Sequence, residues 1–539
     1  MPEQAYGSWK SPVTADVIVS STISLGGVAI DRGDVYWLEG RPLEGGRQVL
    51  VRRASDGSTA DVTPAPYYVR TRVHEYGGGA YAVTDGEVYF VNFADQLLYR
   101  IPAGGAPEPL TREAGVRHAD FVVDKRRGLL FAVCEDHRGR REAQNSIVSI
   151  DIETGEERTV ADGHDFYSTP RLSPDGHRLC WLSWDHPNMP WDATELWLAD
   201  LDEAGSPRDA RKVAGGREES IFQPDWSPAG QLYFVSDRSG WWNLYRLADR
   251  GVEPVLERAA EFGQPQWAFD SRSYAFLSDG LIMASYVEAG VPRLGIVDAD
   301  AHALTPVDLA VSAGGMRVSG DSVYFAGASP TLPGALYQFD LNTKALEPLR
   351  WTTDVRLDER YLSVAEPIEF ATEGSKTAHA FYYAPKNGDF SAPAGEKPPL
   401  IVMSHGGPTA ATGAALSLQK QFWTSRGFAV LDVNYGGSTG YGREYRRRLN
   451  DAWGIVDVDD CVNGAKYLAE RGLVDPQRMA ITGGSAGGYT TLCALTFRDT
   501  FSAGASHYGI GDLEALARDT HKFESRYLDG LVGPYPERR

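Results

Sequence analysis

The chain has 539 residues, more than one hydrophobic core usually serves, so two or more domains are expected. Its 42% hydrophobic and 23% charged residues match an ordinary soluble protein. A formal net charge of −20 argues against nucleic acid or an anionic membrane as main partner, and reads chiefly as solubility.

The opening MPEQAYGSWKSP has no basic segment leading into an apolar run, so no signal peptide is read there. No stretch reaches the roughly 18 continuous apolar residues of a membrane helix. Cys134, Cys180, Cys461 and Cys493 lie far apart in apolar segments, without metal or disulfide spacing. Buried thiols in a reducing cytoplasm are therefore expected. The 11 histidines include no HExxH and no paired His/Cys set, so neither a metal nor another cofactor is expected.

After an N-terminal segment (1–23), residues 24–350 read as short strands and turns. An apolar strand centred on an aromatic residue recurs seven times, at Trp37, Phe90, Phe131, Trp181, Phe234, Phe276 and Phe325. Turns such as LSPDG (172–176) and WSPAG (226–230) precede several of these strands. Most are followed by a further strand, around Tyr99, Val148, Trp197, Tyr245 and Tyr337. A period of roughly 40–50 residues is that of propeller blades, whose faces bury one another's aromatic residues. A seven-bladed β-propeller is expected.

From residue 355 to 539 strands alternate with helices, the pattern of a mostly parallel sheet covered on both faces. PLIVMSHGGP (399–408) is a buried strand entering a Gly-rich turn, and FAVLDVNYGG (428–437) is another strand. Val458, Cys461, Val462, Ala465, Leu468 and Ala469 form a helical stripe that Gly472 ends. RMAITGG (478–484) then runs into Gly483-Gly484-Ser485-Ala486-Gly487, with a helix expected from about Gly488. This is a nucleophile elbow: serine on a strained strand-to-helix turn, with Gly483 and Gly487 small because side chains there would collide. Ala486 N–H and the helix dipole face the developing oxyanion. Gly407, in the turn His405-Gly406-Gly407-Pro408, is the expected second donor, and His405 is expected to orient that turn. NYGGSTGYG (434–442) lacks nucleotide-loop spacing and reads as a close-packed turn beside the site.

HGGP, NYGGSTGYG and GGSAGGY, in this order, resemble the catalytic blocks of the prolyl oligopeptidase family, particularly its acylaminoacyl-peptidase and dipeptidyl-aminopeptidase-like bacterial members. WSPAG and SDRSGWWNLY resemble its propeller blades, and the likeness runs along essentially the whole chain. The resemblance implies an N-terminal seven-bladed β-propeller plus a C-terminal α/β-hydrolase domain. It implies hydrolysis of short peptides through an acyl-enzyme on Ser485, with the propeller excluding folded proteins. It also likens Glu218 and Glu219 to the paired glutamates that receive a substrate N-terminus, against the plain reading of a solvated loop.

The triad acid and histidine follow the nucleophile in this fold, yet only 54 residues follow Ser485. The hydrolase domain is therefore read as incomplete, lacking its last strands, with an exposed apolar sheet edge and the triad Asp and His absent. His507 and His521 are expected to serve packing or surface roles, and Asp499, Asp512 and Asp519 to be surface or capping carboxylates. Little peptidase activity is expected of such a chain. Two other readings stay open: an esterase or amidase on the same scaffold, and a non-catalytic propeller that binds a protein.

Overall fold

The computed structural model describes residues 1–19, 22–139, 142–309 and 311–539. Seven four-stranded antiparallel sheets follow one another along the chain, each built from a contiguous stretch. They span 24–61, 81–109, 116–161, 166–216, 221–256, 274–307 and 312–351, and form blades one to seven. Trp37, Phe90, Phe131, Trp181, Phe234 and Phe325 all lie on the second strand of their blade and are buried. Blade six differs. Its aromatic segment Tyr274–Phe276 is the first strand, and Ile282–Glu288 is the second. Residues 257–273, between blades five and six, form no strand of their own, and Glu261 and Trp267 within them reach Gly442 and Thr409 of the hydrolase half.

No strand is exchanged between the first and last blades among the described residues; side chains close the ring, with one backbone bond beside them from Ile23 N–H to Thr352 O at 2.8 Å. Val28, Trp37 and Val49 of blade one pack with Leu336 of blade seven. Arg350 holds the buried carboxylate of Glu39 across the same seam at 3.1 Å.

The remaining sheet has six strands. In spatial order they are Glu366–Thr372, Lys376–Tyr383, Ala429–Asn434, Leu400–Ser404, Met479–Gly484 and Ala503–His507. The first two pairings are antiparallel and the other three parallel. The helix Val456–Glu470 buries Val458, Cys461, Val462, Ala465 and Leu468, and Gly472 follows it at φ +71°. Ala503–His507 is an edge strand exposed at every residue, and Leu492, Leu495 and Phe497 of the preceding helix are exposed beside it. The N-terminal segment lies on this half of the molecule: Trp9 is buried, Ser11 bonds Ser425, and Arg426 holds Val13 O.

The two halves meet at a buried charge cluster. Asp237 of blade five, 1% exposed, binds Arg443 and Arg446, each at 2.6 Å. Arg446 also stacks on Trp242, with its guanidinium 4.1 Å from the ring. Gly442 N–H donates to buried Glu261 at 2.9 Å. The glycines of NYGGSTGYG make this approach possible: a Cβ on Gly442 would lie 3.1 Å from Trp241, and Gly440 rests on Val287.

Removing Asp237 leaves two buried guanidiniums without their counter-ion, a change that costs about 3–5 kcal/mol. Asp237→Ala should therefore loosen the junction. Faster amide hydrogen exchange across 442–449, with blade one unchanged, is the expected result.

Candidate active site

The elbow strand pairs in parallel with Leu400–Ser404, and Ser404 sits opposite Gly483. The turns that follow these two strands therefore leave the sheet side by side. Ser485 has φ 53° and ψ −120°, a conformation outside the ordinary basins of an L-residue. The helix begins at once, over Ala486–Phe497, two residues earlier than expected. Ser485 itself is exposed.

Close packing holds the strained turn. A Cβ on Gly483 would lie 2.3 Å from Gly487 O, and one on Gly487 would lie 2.1 Å from Ser404 O. Ser485 N–H donates to His507 O at 3.0 Å, and Ser485 O accepts the first helical bond from Tyr489 N at 3.1 Å. The ring of Tyr508, 88% exposed, covers Gly484 and would stand 3.0 Å from a Cβ there.

The second turn comes to the same place. A Cβ on Gly406 would be 3.6 Å from Ser485 Cβ. Gly407 has φ +125°. Neither Gly407 N–H nor Ala486 N–H has a hydrogen-bond partner among the described residues. Two unengaged donors thus lie in the two turns that meet at Ser485, one of them, Ala486 N–H, at the positive end of a 12-residue helix.

His405 is fully occupied. Its Nδ1 donates to Gly406 O at 2.8 Å, and its Nε2 lies 2.7 Å from Ser438 Oγ. The ring stacks on Tyr435 with centroids 4.3 Å apart, and Tyr435 OH donates to His405 O. With Nδ1 protonated, Nε2 accepts from the Ser438 hydroxyl, which is the neutral imidazole; burial lowers its pKa in the same sense. The sequence pattern of NYGGSTGYG indicates a close-packed turn and nothing more. The roles of Tyr435 and Ser438 in holding His405 have no signal in their spacing.

The other expected residues separate. His507 lies on the exposed edge strand, and His521 stands 3.9 Å from Glu524 and beside Tyr76. Asp512 caps a helix by accepting from Glu514 N and Ala515 N. Ser485 Oγ has no hydrogen-bond partner among the described residues. Glu219 is tied to Ser236 and Arg238. Glu218 instead meets Arg447 at 2.7 Å and lines a cleft of about 530 Å³ that also reaches Thr409, Trp191 and Tyr527. Thr409 follows the HGGP turn directly. Its N–H donates to Tyr527 OH at 3.1 Å, and its carbonyl accepts from Trp267 of the propeller at 2.8 Å.

Residues 414–538 match the model of the prolyl oligopeptidase family. The crystal structure of puromycin hydrolase superposes with a TM-score of 0.94 at 38% identity, covering 100% of this chain and 85% of that one. The chain belongs to the prolyl oligopeptidase family. A Mycobacterium tuberculosis puromycin-hydrolyzing peptidase gives the same TM-score and identity over 99% of this chain and 85% of that one. Among curated relatives, dipeptidyl aminopeptidase BIII of Pseudoxanthomonas mexicana is 29% identical over 43% of this chain. The acylamino-acid-releasing enzyme of Arabidopsis thaliana is 26% identical over 58% of it. These two matches span 34% and 44% of the relatives' own lengths. No helix among the described residues is long and apolar enough to cross a membrane.

One buried carboxylate supports the elbow from behind. Asp457 accepts from Gly454 N–H at 2.6 Å and from the hydroxyl of Thr490 on the elbow helix. Burial pushes its pKa from 3.8 up to about 6. A raised folded-state value favours the protonated form, so this contribution is full below the unfolded pKa and is lost as pH rises to the folded one. The wild type should lose stability relative to Asp457→Asn between pH 3.8 and about 6. The loss should approach about 3 kcal/mol, because each pH step of one between those two values is worth roughly 1.4 kcal/mol. Paired urea titrations at successive pH values measure it.

Proposed function

We propose that the protein is a serine peptidase acting on short peptides and peptide-like amides, with Ser485 as nucleophile and Ala486 and Gly407 N–H as oxyanion donors. The observation that carries this reading is the exposed Ser485 at φ 53°, flanked by two unengaged backbone donors from two adjacent turns. In the reaction, Ser485 Oγ adds to the amide carbonyl and the two N–H groups receive the oxyanion. The amine leaves with the serine proton, and water later releases the acid. A base must take that proton in the first step. His405 is unsuited, because both its nitrogens are already engaged.

The choice of substrate follows the relatives. One solved structure is a serine-to-alanine mutant of puromycin hydrolase complexed with PGG, and two others are named for action on puromycin. Puromycin carries an aromatic aminoacyl group in amide linkage. Trp191, Trp267 and Tyr527, mutually packed with centroids 4.4–5.7 Å apart beside Thr409, give an aromatic wall next to the oxyanion turn. Trp267 belongs to the propeller, and its bond to the turn supports a propeller that screens access and excludes folded proteins. Glu218, facing the same cleft, is our candidate to receive a free α-ammonium, with Glu219 beside it in sequence.

A fluorophosphonate probe tests the nucleophile. Labelling mapped to Ser485 by peptide mass spectrometry, absent in Ser485→Ala and accelerated by added imidazole, is expected. Equal labelling of Ser485→Ala would overturn the assignment. Protection tests the substrate: puromycin should slow the labelling. Replacing Glu218 and Glu219 by Gln should reduce protection by free-amino peptides, but not by N-blocked ones.

A further inference from the structure

Blade three carries a second cluster of chemically active side chains. His118 lies on its first strand, Val116–Asp124, directly opposite Cys134 on its second strand, Leu129–Asp136. Glu157 comes from its fourth strand, Glu157–Ala161. One ligand atom from each of the three residues lies within 4.8 Å of the other two.

His118 is 1% exposed, and neither ring nitrogen has a hydrogen bond. A Glu157 oxygen stands 3.0 Å from Nε2, but out of line for a hydrogen bond. An imidazole buried without a hydrogen bond costs on the order of 1–3 kcal/mol, and a metal ion held between His118 and Glu157 would offset that cost. Cys134 is 5% exposed, while the Glu157 side chain keeps 30% exposure. Cys134 and Glu157 both line an open cleft of about 720 Å³. Among the described residues, Asp136, Glu142, Asp162 and Asp165 outnumber Arg138 and Lys522 along it. A cation can enter through that cleft, and a water can complete its shell from the same side.

We propose that His118 Nε2, Cys134 Sγ and a Glu157 carboxylate oxygen form a binding site for a zinc-type divalent cation. One thiolate, one imidazole and one carboxylate suit a borderline-soft ion with four ligands. Bond lengths of about 2.0–2.3 Å place such donors roughly 3.3–3.6 Å apart, so side-chain shifts of about an ångström close the site. On binding, the Cys134 S–H bond breaks and an S–metal bond forms, with the proton passing to water in the cleft. His118 binds as neutral imidazole and Glu157 as carboxylate. Burial and the nearby Glu157 charge raise the thiol pKa, so the metal itself must favour the thiolate. The ion would link the first, second and fourth strands of the blade. The sequence shows no His/Cys spacing motif and so predicts no metal; the proposed site departs from that expectation. The ligands are 16 and 23 residues apart, and only blade folding brings them together.

The test uses untagged protein stripped with a chelator and titrated with Co²⁺. A thiolate-to-cobalt charge-transfer band saturating at one ion per chain is expected, with Zn²⁺ displacing it. Cys134→Ala should lack the band. Glu157→Gln, altered at a solvent-facing position and so expected to fold, should bind at least about tenfold more weakly, since even outer-shell substitutions at metal sites cost that much. Labelling of Ser485 should stay unchanged in both variants. No band in the wild type, a band that persists in Cys134→Ala, or unaltered affinity in Glu157→Gln would each overturn the site.

Discussion

A side chain on Gly487 would stand 2.1 Å from the carbonyl oxygen of Ser404, and one on Gly483 would stand 2.3 Å from Gly487 O. The candidate site depends on this contact. It lets the elbow strand, the start of its helix and the end of the neighbouring strand share one small volume. Within it Ser485 is held at φ 53°, and the HGGP turn is brought against the serine. Strain of this kind persists only where the surroundings over-determine it. Here they do so through the His507 carbonyl on Ser485 N–H and the Asp457–Thr490 bond behind the helix.

The same economy of side chains governs the contact between the halves. Gly290 of the propeller faces Tyr441, whose hydroxyl would lie 2.1 Å from any Cβ there, and Gly442 rests on Trp241. The backbones approach closely enough for Gly442 N–H to reach Glu261 and for Asp237 to meet two arginines. A junction built on buried ions is costly to assemble and more costly to break, which favours one relative placement of the halves. The bond from Trp267 to Thr409 carries that placement to the turn beside Ser485.

The propeller shows how repetition can leave room for individuality. All seven blades carry a buried aromatic residue on the second strand, Tyr286 in blade six, although in that blade the aromatic segment 274–276 is the first strand. Blade three alone brings together the proposed His118, Cys134 and Glu157 ligands. Because each blade is closed by contiguous sequence, a blade can change locally without disturbing the ring. The ring itself is sealed by Trp37, Leu336 and the Glu39–Arg350 pair, not by a shared strand.

The sequence by itself determined the seven blades, the alternating strands and helices, and the serine with its glycines. These are local patterns: aromatic strands at a regular interval, and a GxSxG between a strand and a helix. It also determined that His405 belongs to a turn, since HGGP follows an apolar strand directly. Tertiary structure alone decided what holds His405, because Tyr435 and Ser438 lie 30 and 33 residues away and carry no motif. It separated Glu218 from Glu219, neighbours in sequence, by giving each a different arginine. It also brought a histidine without a hydrogen bond, a buried thiol and a carboxylate onto one blade. Residues far apart in sequence meet only when strands pair and sheets pack, so their chemistry has no linear signature to read.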